Sequence, residues 1–193
     1  MNNQIDQTEG YLTGRLLVSM PMMKQDSVFA KTVIYVVSHN VGGAIGIVVN
    51  QTLNNVSCSS IFDSFNIERD AVKKMMPVHF GGPVEAEKGF ILHSSDYSKD
   101  VLIATGEKMA LSSNLQILKA IATGHGPKNS IFALGYAGWS GGQLEIEMVN
   151  NNWLTVPFSD DIVFSADNSH KWDEAMHKMG FDACRLSYEA GSA

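Results

Sequence analysis

Gly138-Trp139-Ser140-Gly141-Gly142 matches the Gly-x-Ser-x-Gly pattern that presents a nucleophilic serine in many hydrolases. Asp160, Asp161, His170 and His177 follow in the order such a triad would need. The chemistry demands more than the pattern. The serine must stand on a sharp turn between a strand and a helix whose first amides help stabilise the oxyanion. After the glycines comes Gln143-Leu-Glu-Ile-Glu-Met-Val149, in which apolar and polar residues alternate. Alternation at period two predicts a strand, so the motif is expected to be a hairpin connector and Ser140 not a nucleophile.

A second set is His170, Asp173, Glu174 and His177, which share one face of a predicted helix and could ligate a metal. Trp172, Ala175, Met176 and Met179 fall opposite. An apolar stripe packs inward, so the His/acid face is read as solvated and no metal is expected. Gly42-Gly43, Gly81-Gly82-Pro83 and Gly124-His125-Gly126-Pro127 do not open a helix after a strand, as a phosphate-binding loop must. No cofactor is expected.

The elements that would carry these residues are partly legible. Leu12 to Met20 reads as a strand stopped by Pro21. Thr32–Ser38 and Ala44–Asn50 are β-branched runs joined by a turn containing Gly42-Gly43, the clearest hairpin signal in the chain. Ser57 to Phe65 predicts a short helix, and a second helical stretch is read through Met76 to Pro77. Short strands are expected at Val78–Phe80, Gly89–His93, Val101–Ala104 and Ile131–Leu134. Further helices are expected from Ser112 or Ser113 to Gly124, and from Ser169 to Met179. Strands cluster without βαβ alternation. The fold class is therefore α+β, with a mixed, mainly antiparallel sheet flanked by helices.

Composition narrows the function classes. The 193 residues carry a formal net charge of −6, and the 14 Lys and Arg are scattered. The densest basic spot, Lys73-Lys74, reads as a solvated helix face. Nucleic-acid binding draws its affinity from clustered cations that neutralise phosphates, so it is disfavoured. Cys58 and Cys184 fit no ligand spacing or secreted disulfide framework. Residues 1–10 read as a flexible polar leader with no signal-peptide pattern, and residues 11–193 as one domain. The most hydrophobic window, Thr32–Asn50, is broken by Ser38-His39-Asn40 and Gly42-Gly43, which argues against a membrane span. A cytoplasmic location is expected by default.

Taken in order, several motifs resemble the AlgH/YqgE family of bacterial proteins over nearly the whole chain. They are Gly14-x-Leu16-Leu17-Val18-Ser19-Met20-Pro21-x-Met23, Asp26-x-x-Phe29-x-x-Thr32-Val33, His39-Asn40-x-x-Gly43-Ala44-x-Gly46 with Asn50, Gly81-Gly82-Pro83-Val84, Gly89-Phe90-x-Leu92-His93, Gly135-Tyr136-Ala137-Gly138-Trp139-x-x-Gly142-Gln143-Leu144-Glu145 and Asn152-Trp153-Leu154. The resemblance implies a bifurcated, barrel-like sheet flanked by helices. It implies no established activity, only a regulator label without a DNA-binding motif. The chain departs from the family pattern at Ser38, where Glu is frequent, at Thr52, where Pro is common, at Ser140, where Gly is frequent, and at Gly191-Ser192-Ala193 in place of Gly-His-Ala.

The reading is a non-enzymatic binding or regulatory module for a protein or small-molecule partner. Its candidate surface is His39, Asn40, Gly43, Asn50, Gly81, Gly82, Pro83, His93, Gly138, Trp139, Gln143 and Glu145, residues that gather at turns and strand ends. The rivals are a hydrolase or transferase with His39 or His93 as base and Glu145 as acid or orienting group, and a transcriptional regulator on the family label alone.

Overall fold

A computed structural model describes residues 11–67, 76–106 and 108–180. The helical stretch read through Met76, the Lys73-Lys74 pair, the polar leader, Cys184 and the Gly191-Ser192-Ala193 end lie wholly or largely outside them.

The strands are β1 (Leu16–Ser19), β2 (Val33–Asn40), β3 (Gly43–Val48), β4 (Thr52–Ser57), β5 (Pro77–Phe80), β6 (Val84–Ser94), β7 (Ile103–Thr105), β8 (Met109–Ser112), β9 (Ser130–Ser140) and β10 (Trp153–Val156). The helices are α1 (Cys58–Ser64), α2 (Leu115–Ala122), α3 (Gln143–Val149), α4 (Asp160–Phe164) and α5 (Lys171–Lys178). One sheet runs β10-β1-β2-β3-β9-β6-β8-β7, with β4 beside β5 and β5 beside β9. Every pairing is antiparallel except β5 with β9. The sheet curls into a half-barrel, and the Tyr35 hydroxyl on β2 reaches across to Thr105 on β7.

Strand β9 is where the sheet forks. One of its edges holds β6 from Ser130 to Tyr136. Its other edge holds β5 over Phe132–Leu134 and then β3 over Ala137–Ser140. Gly81 bridges the change of partner: its N–H donates to Leu134 O at 2.8 Å, and its carbonyl accepts from Val48 N–H at 3.0 Å. The backbones approach so closely here that side chains do not fit. A Cβ on Gly82 would lie 2.1 Å from the Tyr136 carbonyl carbon, and one on Gly135 would lie 2.3 Å from Gly82 O. Gly135 also has φ +71°, which β-carbon sterics disfavour.

The β-branched runs are explained by burial on both sides. Val33, Tyr35 and Val37 face the half-barrel interior, where α4 and α5 contribute Ile162, Val163, Trp172, Ala175 and Met176. Ile34 and Val36 face the opposite layer, which α3 covers with Leu144. The second arm packs Phe62 of α1 and Ile117 and Leu118 of α2 against Val78, Ile91 and Phe132.

Sequence boundaries moved in physically intelligible ways. The β2–β3 turn is Val41-Gly42, and α1 is capped by Ser57 as the sequence suggests. Helix α2 begins later than expected. Asn114 is its N-cap, accepting from Gln116 and Ile117 N–H, while Ser112 belongs to β8. Strands β4, β8 and β10 and helix α4 are short elements without a periodic signal of their own.

The main correction concerns Gln143–Val149, which is helix α3 and not a strand. Seven residues are too few to separate a period of two from one of 3.6. Leu144 and Met148 are four apart and both turn toward the sheet, whereas Ile146 is exposed.

Lys171 is the one fully buried lysine among the described residues. Its ammonium donates to Val49 O at 2.8 Å and Val163 O at 2.7 Å, tying the end of β3 to the last turn of α4. Burial pulls its pKa down to about 8. The folded pKa thus lies below the unfolded one, so between these values the unfolded chain binds the proton and the folded chain does not. Stability should therefore rise as pH increases from about 8 to about 10.5, by up to roughly 3 kcal/mol. Urea unfolding at stepped pH checks this: Lys171→Met should lack that increment and, with two carbonyls stranded, be the less stable protein at pH 7.

Candidate functional site

Three of the sequence-selected segments meet at one end of β9. The β2–β3 turn comes first: Asn40 pairs with Gly43, Asn40 Oδ1 accepts from Gly42 N–H at 2.8 Å, and Gly43 pairs in turn with Ser140. Without a side chain, Gly43 presses directly on the Trp139 carbonyl. The Gly81–Val84 connection lies beside it, with Gly81 and Gly82 buried against Gly135–Ala137 and Pro83 exposed. The third is the β9–α3 junction. Asn40, Gly43, Ala44, Val84, Tyr136 and Gly138 line one open cleft of about 420 Å³.

A second cleft of about 420 Å³ lies over α3. Met22, Met23 and Phe29 face Trp139, Trp153, Gln143 and Glu147 across it. Glu147 organises this cleft. Its Oε2 accepts both indole N–H groups, from Trp139 at 2.9 Å and Trp153 at 2.8 Å, and its Oε1 accepts from Gln143 Nε2 at 2.9 Å. The two indoles pack edge to face with centroids 6.0 Å apart, and Phe29 packs the same way on Trp153 at 5.7 Å. The strand reading of Gln143–Val149 concealed this arrangement. A helix brings Gln143 and Glu147 within hydrogen-bond reach, whereas a strand would put them on one face but roughly 13 Å apart.

His39 is buried beside the first turn of α3. Its Nδ1 accepts Leu12 N–H at 3.1 Å, so the proton of the neutral ring is on Nε2, which donates to Glu145 Oε1 at 3.2 Å. Tyr11 lies edge-on to the ring at 5.0 Å, and the Thr13 hydroxyl receives His39 N–H at 2.8 Å. His39 thereby fastens residues 11–13 to β2 and α3.

Asn50 and His93 stand elsewhere. Asn50 lies just past the far end of β3, where Oδ1 accepts from Val33 N–H and Nδ2 donates to Lys31 O, both at 2.8 Å. His93 pairs with Ser130 at the opposite end of β9. It is fully buried, its Nδ1 donates to Ser94 O at 2.9 Å, its Nε2 meets the Ser112 hydroxyl at 3.0 Å, and burial lowers its pKa. Both residues are tied up in local structure.

The Gly-x-Ser-x-Gly segment also needs correction: it does run from a strand, through two glycines, into a helix. Ser140 is still part of β9, paired with Gly43, and its φ is not positive. Its N–H and its hydroxyl both donate to Gln143 Oε1 at 3.1 Å. His170 and Asp167 pair with one another at 2.7 Å on the exposed approach to α5, and His177 is exposed on that helix. The Cys58 thiol is buried and its pKa pushed up to about 11, away from nucleophilic use.

A forked half-barrel sheet, with glycine turns gathered at one end of the forking strand, defines a distinct class of α+β protein. The chain belongs to the AlgH-like family, whose model matches residues 16–184. It is 44% identical over 193 residues to a UPF0301 protein of Rhodospirillum rubrum, covering all of both chains. A UPF0301 protein of Rickettsia prowazekii is 40% identical over 184 residues, covering 94% of this chain and 96% of the relative. The solution structure of the AlgH protein from Pseudomonas aeruginosa superposes with a TM-score of 0.76 at 35% identity, over 96% of this chain and 97% of that one. A crystal structure from Corynebacterium diphtheriae shares the fold at 18% identity, with a TM-score of 0.69 over 86% of each chain. No helix among the described residues is long and apolar enough to cross a membrane.

The role of Glu147 in holding the indoles can be measured by thermal or urea unfolding. Glu147→Ala strands two largely buried N–H donors and should cost roughly 2–4 kcal/mol. Glu147→Gln retains an acceptor and should cost less than half of that.

Proposed function

We propose that the protein is a non-enzymatic binding or regulatory module. Its recognition surface is the end of the sheet where the β2–β3 turn, the Gly81–Val84 connection and the β9–α3 junction adjoin. The observation that carries this reading is the pair of clefts on either side of Gly138-Trp139, built from those segments and the Met22–Phe29 loop. Loops set on a rigid sheet are a usual way to assemble a binding surface. The side chains there are held by hydrogen bonds to one another, as at Glu147 with its two indoles and at His39 with Glu145, which pre-organises the surface.

The hydrolase or transferase reading has one observation in its favour, the His39–Glu145 contact at 3.2 Å. A general base needs a free lone pair within reach of a proton. On His39 that lone pair already accepts Leu12 N–H, and the Ser140 hydroxyl is directed at Gln143 and not at an imidazole. The regulator label supplies no DNA-contacting motif, and the net charge of −6 opposes direct contact with phosphates. A cytoplasmic setting suits the reading but is not required by it.

Two-dimensional NMR during a screen of chemically diverse fragments tests the proposal. Saturable shifts are expected at Asn40–Ala44, Val84 and Gly138–Gln143, with His93 and Asn50 unmoved. Shifts scattered over the molecule, or none, would end the idea. Ester or amide hydrolysis that disappears in Ser140→Ala would instead establish an enzyme.

A further inference from the structure

Resting on that reading, we infer that the cleft over α3 takes an organic cation, an alkylammonium or guanidinium group on a short apolar stem, with the Glu147 carboxylate as its counter-ion. The carboxylate is fixed in place by three donors, and none of them carries a formal charge. Among the described residues Glu147 has no ion-pair partner. Lys24 lines the same cleft from an exposed position and forms no ion pair with it. Oε1 accepts a single hydrogen bond, although a carboxylate oxygen has room for two. Cleft, carboxylate and spare acceptor capacity therefore coincide.

The walls suit the remainder of such a ligand. Met22 and Met23 supply adaptable thioether surface, and Phe29, Trp139 and Trp153 supply rings that attract cations. An anion is the competing ligand, with Lys24 as its partner. The polar group that the fold immobilises, however, is Glu147, whereas Lys24 would have to be ordered at the moment of binding. A neutral apolar ligand would desolvate the carboxylate and bring it no opposing charge. The same head group could belong to a free amine or to a Lys or Arg side chain of a peptide.

The three tryptophans provide the assay. Trp139 and Trp153 donate to Glu147, while the Trp172 indole donates to Ser19 O at 2.8 Å within the interior and serves as an internal control. Indole N–H resonances of the full chain are followed while adding n-butylammonium, n-butylguanidinium, butyrate or 1-butanol. The two cations should shift the Trp139 and Trp153 signals saturably and leave Trp172 fixed, and Glu147→Gln should weaken them by about tenfold or more. Lys24→Ala should bind them at least as tightly as the parent.

Equal binding of butyrate or butanol overturns the inference while leaving a ligand cleft in place. No shift with any of the four probes overturns it too, and the fragment screen then reports separately on the surface as a whole. If Glu147→Gln fails to fold, the charge series on the parent and on Lys24→Ala still decides. N-acetyl-lysine amide and N-acetyl-arginine amide distinguish the sources, since a peptide ligand should bind more tightly through its backbone than butylammonium does.

Discussion

The fork in β9 is the constraint on which the remaining architecture depends. An edge that pairs with β5 and then with β3 must let three backbones converge around Gly81, Gly82 and Gly135. No residue with a β-carbon fits that convergence without displacing a carbonyl. The fork also sets where function can reside. Beyond it β9 continues alone beside β3, and its last residues carry Gly138 and Trp139 out to the region where the turns gather.

Much of the half-barrel can be read from the residue pattern, because long apolar β-branched runs have few other uses. The Thr32–Asn50 hairpin is the clearest example, since Val33 to Val37 are buried on both faces of β2. Local chemistry also marks α1 through Ser57 and α5 through its Trp172/Ala175/Met176 stripe. Strand β10 is held by β1, which lies far away in the sequence, and such a contact leaves little local trace.

The candidate site was half legible, and the reason lies in α3. Reading Gln143–Val149 as extended placed Glu145 and Glu147 together on one outward face. The helix instead sends Glu145 to His39 and Glu147 to the two indoles. Trp139, Gln143 and Glu145 lie together at the β9–α3 junction, but Glu147, which joins Trp139 and Gln143 to Trp153, is hidden by the wrong period. His93 and Asn50 show the converse. Residue type and turn proximity select them equally well, and only the geometry reveals that their polar atoms are occupied locally.

Glu147 sits eight residues after Trp139 and six before Trp153, and those two tryptophans come from strands with β1, β2 and β3 between them. Helix α3 is therefore a spacer of counted length that closes a loop across the sheet. A helix advances about 100° per residue, so inserting or deleting one residue between Trp139 and Glu147 would swing the carboxylate off both indoles together. Length variation is usually best tolerated in surface connections, yet this surface connection has the least room for it.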